Sequence, residues 1–494
     1  MTGLYTAAQV RAAEEPLLAS TPEGALMQRA ATGLATVCLR LLDRGYGRRV
    51  ALLVGSGNNG GDALFAGALL ARRGARVTAV LLDPDRVHPP GLAALRRSGG
   101  RVLPAGDDGA PGVIGRAELV LDGMLGIGGR GGLRPDAAAL ARAAADGTGI
   151  TVAVDVPSGV DASTGAVDGA AFPAMHTVTF GAVKLGLVVG EGRGYAGQVH
   201  LVDIGLGPYL PAPTAVQLAD ADVAARLEPP SGSDDKYSQG VVGIVAGSST
   251  YPGAGVLCTG AALRTRPGLV RYAGTAAEGV RSAWPEAIVS SGRPADAGRV
   301  QAWVVGPGMG TDADARSVLA EVLATDRPVV LDADGLTMAA GEPGLVRDRR
   351  APTVLTPHDR EFERFGTPIG PDRVAAARRL AADLGVVVLL KGDATVVADP
   401  DGTAFVNGTG TPWLATAGTG DVLSGITGAV LATQDATGLP TAEAAAVAAH
   451  LHGRAGRLAA ERGPLIAGDL VRVLPAAVSR VRGFRARGLG DSGT

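Results

Sequence analysis

Residues 50–73 read VALLVGSGNNGGDALFAGALLARR. The apolar run VALLV, residues 50–54, has the length and β-branched content of a buried strand. It enters Gly55-Ser56-Gly57-Asn58-Asn59-Gly60-Gly61-Asp62. Residues 62–73 then carry apolar positions at helical spacing, so the stretch reads strand, glycine loop, helix. Glycines let a backbone approach a ligand closely, and a helix start presents unpaired N–H groups to an anion. The order is not GxGxxG, so a plain dinucleotide fingerprint does not fit. The plainer structural reading is a turn with Asp62 as helix cap.

Working outward, residues 77–82, 119–122 and 151–155 repeat the short apolar run, the last two ending in acid. Ala/Leu/Arg-rich helical stretches lie between them. Strands alternating with helices predict a parallel sheet covered on both faces. Ligands bind such sheets beyond the carboxyl ends of the strands, where Asn58, Asn59, Asp122 and Asp155 all fall. Pro, Gly and acid gather in 205–213 and 228–235. The strand–glycine–helix pattern then restarts at 241–246, with further strand candidates at 302–305, 329–332, 353–355 and 386–390. This predicts one domain over 1–212, a linker over 213–229, a second α/β domain over 230–482 and a disordered tail over 483–494.

Length and composition agree. A chain of 494 residues is too long for one ordinary core. Hydrophobic residues at 46% supply cores, and a net charge of −2 argues against a nucleic-acid binder. Cys38 and Cys258 form no disulfide framework or zinc motif; Cys258 reads as helix core. With no membrane-length apolar run and no signal-peptide pattern at the start, the expectation is a soluble, cytoplasmic protein. Among 46 basic residues only Lys184, Lys236 and Lys391 are lysines, and the asparagines are Asn58, Asn59 and Asn407. The few that remain point to positions that a substitute could not fill.

Further motifs carry chemistry. Asp122-Gly-Met-Leu-Gly126-Ile127-Gly128-Gly129-Arg130-Gly131-Gly132 could wrap a pyrophosphate, or be only a mobile loop. Asp155-Val-Pro-Ser158-Gly-Val-Asp puts an acid at a strand end before a tight turn. Ala415-Thr-Ala-Gly-Thr419-Gly420-Asp421-Val-Leu-Ser-Gly leads small residues into an apolar helix with a carboxylate in its first turn. A helix start there can stabilise a transferring phosphoryl group, with Asp421 as base for an attacking hydroxyl. The competing reading is an ordinary acidic first turn. Lys391 ends the run VVVLLK, from which an ammonium reaches a phosphate. His358 follows Thr-Pro and lines a pocket or sits in a loop; His450 and His452, on an Ala-rich helix, read as structural.

Residues 1–210, through GSGNNGGD, DGMLGIGGRGG, VDVPSGVD and TFGAVKLGL, resemble the NAD(P)H-hydrate epimerase family. The resemblance implies a Rossmann-like α-β-α sandwich. It implies NAD(P)HX binding by Asn58, Asn59, Gly60, Gly61, Asp62, the segment Gly126 to Gly132, and Asp155. It implies potassium held by Asn59, Asp122 and Ser158, and proton handling by Asp155. Lys184 would be structural or phosphate-facing. Ala63 departs from the family's glycine, with a methyl expected to sit on the helix. Residues 230–480 resemble the ADP-dependent NAD(P)H-hydrate dehydratases, of ribokinase-like α/β fold. The match runs through GSSTYPGAG, Gly306-Pro-Gly308-Met-Gly310, Leu331-Asp332-Ala333-Asp334-Gly335, Thr356-Pro-His358, Leu390-Lys391-Gly392-Asp393-Ala394-Thr395 and the Gly418–Asp421 signature. This resemblance implies adenine-nucleotide contacts by Lys391, Gly392, Asp393, Ala394, Thr395 and Gly420. Ala254, Gly308, Gly310, His358 and Asp421 would line the hydrate pocket, with Asp421 as base. Magnesium would bridge the phosphates, with Glu361 a candidate for a water-mediated contact. NADHX, NADPHX and ADP would be the small-molecule partners, and the family suggests a homo-oligomer. The whole chain thus resembles a fused epimerase–dehydratase. The alternatives are a ribokinase-like kinase for a vitamin precursor, and a nucleotide-binding regulator without catalysis.

Overall fold

The computed structural model describes residues 1–227, 232, 235–266, 268–290 and 292–483. It divides into one unit of Gly3–Ala215 and another of Met1–Thr2 with Val216–Thr494.

The first unit is built on seven parallel strands: β1 (Arg49–Val54), β2 (Arg76–Leu81), β3 (Arg101–Pro104), β4 (Leu119–Gly123), β5 (Ile150–Val154), β6 (His176–Phe180) and β7 (Gln198–Val202). Their order is β3-β2-β1-β4-β5-β6-β7. The order reverses between β1 and β4, the crevice where open α/β sheets bind ligands. Central strands are apolar throughout because both faces are covered: Leu52 and Leu121 pack into one side, Leu53 and Val120 into the other. The Asn58–Arg72 helix starts earlier than expected. Residues 58–61 are its first turn and not a loop, and Asp62 lies inside the helix instead of capping it. Gly60 allows this, because a Cβ there would stand 2.2 Å from the Gly55 carbonyl oxygen. Ala63 is fully buried beside Gly123, so its methyl is absorbed by packing.

The second unit has β8 (Val241–Val245), β9 (Leu269–Ala273), β10 (Ile288–Ser290), β11 (Ala302–Val305), β12 (Val329–Leu331), β13 (Thr353–Leu355), β14 (Val387–Leu390), β15 (Val396–Ala398) and β16 (Ala404–Val406). The order β10-β9-β8-β11-β12-β13-β14-β15-β16 is parallel up to β14; β15 and β16 are antiparallel additions. The Pro252–Thr265, Thr419–Leu431, Thr441–Ala460 and Ala467–Val481 helices share one core with the sheet.

The linker expected over 213–229 is corrected. Val216, in the Ala215–Gln217 strand, pairs with Phe405 of β16, and the Asp220–Arg226 helix buries Val223 completely. Arg454 and His450 both reach Asp220 at 2.7 Å, fastening this helix to the second unit. Loop-forming composition around the segment hid a few well-anchored apolar positions. Residues 228–229 of that linker, and the expected tail apart from Gly483, lie outside the described residues. Among the described residues, no helix is long and apolar enough to cross a membrane.

The Thr419–Leu431 helix approaches the Pro252–Thr265 helix so closely that a Cβ on Gly425 would stand 2.3 Å from the Cys258 carbonyl oxygen. Gly425→Ala is expected to destabilise the second unit by about 1–3 kcal/mol through overpacking. Urea unfolding followed by tryptophan fluorescence reads this unit alone, because Trp284, Trp303 and Trp413 all lie in it. An unchanged midpoint would refute the tight approach.

Candidate active sites

In the first unit the carboxyl ends of β1, β4 and β5 bring the expected residues together. Asp122 is fully buried. Its Oδ1 accepts from Ser158 Oγ at 2.6 Å and Met124 N–H at 3.2 Å, and its Oδ2 from Ser158 N–H at 2.8 Å. No ion pair reaches it among the described residues, and burial pushes its carboxyl up to about 6. Asn59 donates through Nδ2 to the Leu125 carbonyl at 2.8 Å, which fixes its amide. The side chain of Asn59 also stands about where a Cβ on Gly126 would meet it, at 3.1 Å. Asn59, Asp122, Ser158 and Leu125 therefore form one oxygen-rich cluster.

Asp155 follows β5 in a left-handed conformation, φ 65°. A non-glycine residue held there is costly unless its surroundings fix it, and such residues gather at functional sites. Its Oδ1 accepts from Lys184 Nζ at 2.5 Å, Thr179 Oγ1 at 3.2 Å and Phe180 N–H at 3.2 Å. Lys184 is 1% exposed and also donates to Thr179 Oγ1 and the Phe180 carbonyl. Its three donors are thus occupied inside the fold, which removes the phosphate-facing role. Asp62 Oδ1 is buried without a hydrogen bond. Burial first, then the charges of Asp155 and Glu14, raise the Asp62 carboxyl well above the usual range. Glu14 was not anticipated from sequence. It is half-buried, raised by burial, and close enough to feel Lys184 and Asp155. Gly128 lies beside Arg11: a Cβ there would stand 2.8 Å from Nη2. Arg130 is exposed on the same loop.

In the second unit Gly418, φ 84°, turns the chain into the Thr419–Leu431 helix. Thr419 Oγ1 donates to the Leu414 and Thr416 carbonyls, tying this turn down. His452 is buried and hydrogen-bonded to the Thr419 carbonyl at 2.9 Å; burial lowers it to about 4, so the ring is neutral and donates. Lys391 directs Nζ to Asp332 Oδ1 at 2.8 Å and Glu361 Oε2 at 3.5 Å. Burial works against its ammonium, but the two carboxylates outweigh it and hold its pKa above the usual value. A Cβ on Gly420 would lie 3.6 Å from Lys391 Nζ and 3.8 Å from Asp332 Oδ2, so these groups meet at the helix start. Burial, and then the charge of Asp332, push Asp421 up to about 7, against a smaller lowering by Lys391.

The remaining expected residues divide. Gly308 adjoins Ala254, with 3.0 Å from a Cβ on the first to that of the second. Gly310 N–H donates to Asp334 Oδ2 at 2.9 Å. His358 caps the Asp359–Glu363 helix: its Nδ1 accepts from Glu361 N–H while Glu361 accepts from the His358 N–H. Glu361 thereby joins His358 to Lys391. Gly392 lies under Arg373, which donates to the Lys391 carbonyl at 2.8 Å and pairs with Asp359. Ala394 is buried, Asp393 is exposed and Thr395 half-buried. Asn407 donates to the Ala449 carbonyl and orders the turn at Thr409. Lys236 is exposed, its ammonium 5.3 Å from the Tyr237 ring centre.

A family model described as NAD(P)H-hydrate dehydratase matches residues 242–475, and one described as YjeF-related protein N-terminus matches 23–186. The bifunctional NAD(P)H-hydrate repair enzyme of Mycobacterium leprae is 52% identical over 98% of this chain and 99% of its own. The chain belongs to the bifunctional NAD(P)H-hydrate repair enzyme family. The Mycobacterium tuberculosis member of that family is 53% identical over 81% of this chain and 83% of its own. A solved structure, the ADP/ATP-dependent NAD(P)H-hydrate dehydratase from Bacillus subtilis co-crystallised with ATP and Mg2+, is 28% identical. It aligns with TM-score 0.48 over 54% of this chain and 99% of that one.

In this member of the repair-enzyme family Asp155 is ion-paired with Lys184, whereas Asp421 makes no ion pair among the described residues. Asp421 holds a proton more tightly than its ordinary value of 3.8 would allow, so the folded state binds more protons than the unfolded chain between that value and about 7. Stability contributed by this group therefore falls as pH rises through that window. Asp421→Asn is expected to melt higher than the parent at about pH 8, with the gap closing toward about pH 4. Thermal unfolding of both proteins at the two pH values checks the sign.

Proposed function

We propose that the first unit interconverts the R and S epimers of NAD(P)HX, and that the second dehydrates the S epimer to NAD(P)H at the expense of ADP. Membership of a family named as bifunctional supports the pairing, and the match of residues 242–475 to a model described as NAD(P)H-hydrate dehydratase supports the second step. The observation that carries the dehydratase assignment is Asp421, raised to about 7 in the first turn of a helix that Lys391 approaches.

In the first unit, Asp155 takes the C6 hydroxyl proton as the C6–N1 bond opens to a C6 aldehyde and a proton passes to N1; rotation about C5–C6 and reclosure, with the protons returned, give the other epimer. Its Oδ1 is held by Lys184, Thr179 and Phe180, and Oδ2 receives no hydrogen bond among the described residues, so Oδ2 faces substrate. The helix start at Asn58 to Gly60 offers backbone N–H groups to the pyrophosphate, with Gly61, Asp62 and Gly126 to Gly132 bordering it. Potassium fits the cluster of Asn59, Asp122 and Ser158, because Asp122 is a fully buried carboxylate with no cationic partner among the described residues. Hard oxygen donors suit such an ion, which would supply fixed positive charge beside the dinucleotide.

In the second unit, Asp421 removes the C6 hydroxyl proton as that oxygen takes the terminal phosphoryl group of ADP, leaving AMP. The C6–O bond then breaks, phosphate leaves, and loss of a proton from C5 restores the dihydronicotinamide. Lys391 and the N–H groups of the Thr419–Leu431 helix meet the phosphates. Gly392 to Thr395 and Gly420 border the nucleotide; Ala254, Gly308, Gly310 and His358 border the hydrate. Among the described residues no three His, Cys, Asp or Glu side chains cluster as a metal cage. Magnesium would therefore arrive on the nucleotide, supplying charge neutralisation to its phosphates. A homo-oligomer is the expected assembly.

Mixed NADHX epimers with ADP and magnesium should be converted completely, read as recovered NADH absorbance. Asp421→Ala should cut recovery by about 100-fold or more while epimer exchange continues. Asp155→Asn should do the reverse, stopping conversion after one epimer is consumed. A stable phosphorylated product in place of NADH would instead identify a kinase.

A further inference from the structure

We infer that Asp332 is a positioning residue for dehydration: it holds Lys391 against the start of the Thr419–Leu431 helix and fixes a negative charge behind Asp421. The inference rests on the dehydratase reading above, and extends it to a residue for which the motifs give no role.

Three observations meet here. First, Asp332 is 2% exposed and both its oxygens are bonded, Oδ1 to Lys391 Nζ at 2.8 Å and Oδ2 to Ser424 Oγ at 2.7 Å. Ser424 lies one helical turn beyond Asp421, so this one carboxylate braces the nucleotide-facing lysine and the helix that carries the base. Second, Lys391 has three donors. Asp332 and Glu361 engage it on two sides, and the helix start at Gly420 is a near neighbour. A lysine stem is flexible, and without Asp332 its ammonium is left to the longer contact with Glu361 at 3.5 Å, which draws it away from a position fixed at that start. Third, the backbone behind Asp332 is over-determined. Ala333 sits at φ 50°, ψ −112°, and Gly306, at φ 126°, leaves only 2.0 Å between a built Cβ and the Asp332 carbonyl oxygen. That strain fixes where the Asp332 side chain begins.

The charge has its own effect. Asp421 feels Asp332 and Lys391. Across from it, Cys258 on the Pro252–Thr265 helix is a buried thiol raised well above its ordinary value. His452 on the Thr441–Ala460 helix is neutral, and Glu361 is engaged with Lys391 and His358. On the Ala467–Val481 helix, Asp469 and Arg472 pair with each other at 2.8 Å. Burial first, and then the fixed charge of Asp332, keep Asp421 basic. Neutralising Asp332 lowers the affinity of Asp421 for a proton, and leaving Lys391 less compensated acts in the same direction.

The test compares the full-length protein with Asp332→Asn and Ser424→Ala, using purified S-NADHX, ADP and magnesium. Asp332→Asn is expected to lower kcat by about 100-fold, the cost of mispositioned reacting groups. It should leave KM for the hydrate nearly unchanged and move the acid limb of kcat to lower pH, which a purely structural defect would not do. Ser424→Ala keeps the charge and suits a helix; it should lower kcat about tenfold, matching one lost charge-assisted hydrogen bond, with the limb not lowered. A wild-type kcat and acid limb in Asp332→Asn overturns the inference. If that variant does not fold, as read by tryptophan fluorescence, a wild-type kcat in Ser424→Ala overturns it. No turnover by the unmodified protein removes the dehydratase reading, and this inference with it.

Discussion

A lysine ammonium buried away from water is tolerable only when a carboxylate and further acceptors replace its hydration. Both units are organised around that constraint. Lys184 lies against Asp155 in the first and Lys391 against Asp332 in the second, each at the carboxyl end of a parallel sheet. Breaking such a pair by removing one partner costs about 3–5 kcal/mol, more than most single substitutions. The pairs therefore fix their neighbourhoods: one locks a left-handed aspartate, the other joins a strand end to a helix start. Everything the proposed chemistry asks of these sites, an oriented carboxylate and a placed cation, follows from meeting that constraint.

The two pairs divide labour differently. In the first unit the lysine is saturated and the aspartate keeps one oxygen open, so the pair presents a carboxylate to its ligand. In the second the aspartate is saturated and the lysine lies beside the helix start, so the pair presents a cation. This matches an epimerisation, which needs a proton moved on and off the hydroxyl of one carbon, and a phosphoryl transfer, which needs positive charge near phosphate.

Much of this was legible in the sequence. Several central strands of both sheets announced themselves as short apolar runs, because a sheet covered on both faces needs apolar residues at every position, whereas the strands at 101–104, 176–180, 198–202, 269–273, 288–290, 396–398 and 404–406 went unread. Asn59, Asp122, Asp155, Lys391 and Asp421 stood out because each ends or follows a strand or lies in the first turn of a helix, the positions from which side chains of open α/β sheets reach ligands. Other features were hidden for physical reasons. Asp332 lies 59 residues from Lys391 and 92 from Ser424, and no spacing rule reports such a meeting. Glu14 and Arg11 sit on an N-terminal helix whose packing against the site is a tertiary event. The Ala215–Gln217 strand was masked by its proline-rich surroundings, and the helical start at Asn58 by glycines that usually signal a loop. His452 read as structural, and its ring does secure the carbonyl of Thr419 at the start of the Thr419–Leu431 helix.

The scarcity of lysine has a practical side. Two of the three lysines are drawn into the fold, and Lys236 alone is exposed. Acylating reagents act on neutral, accessible amines, and a buried ammonium held by carboxylates offers neither property. Besides the α-amino group of Met1, Lys236 is the one side-chain amine such a reagent can reach. The chain thus offers a dye or a surface two defined amines, that α-amino group and Lys236, and leaves the buried pairs of Lys184 and Lys391 chemically untouched.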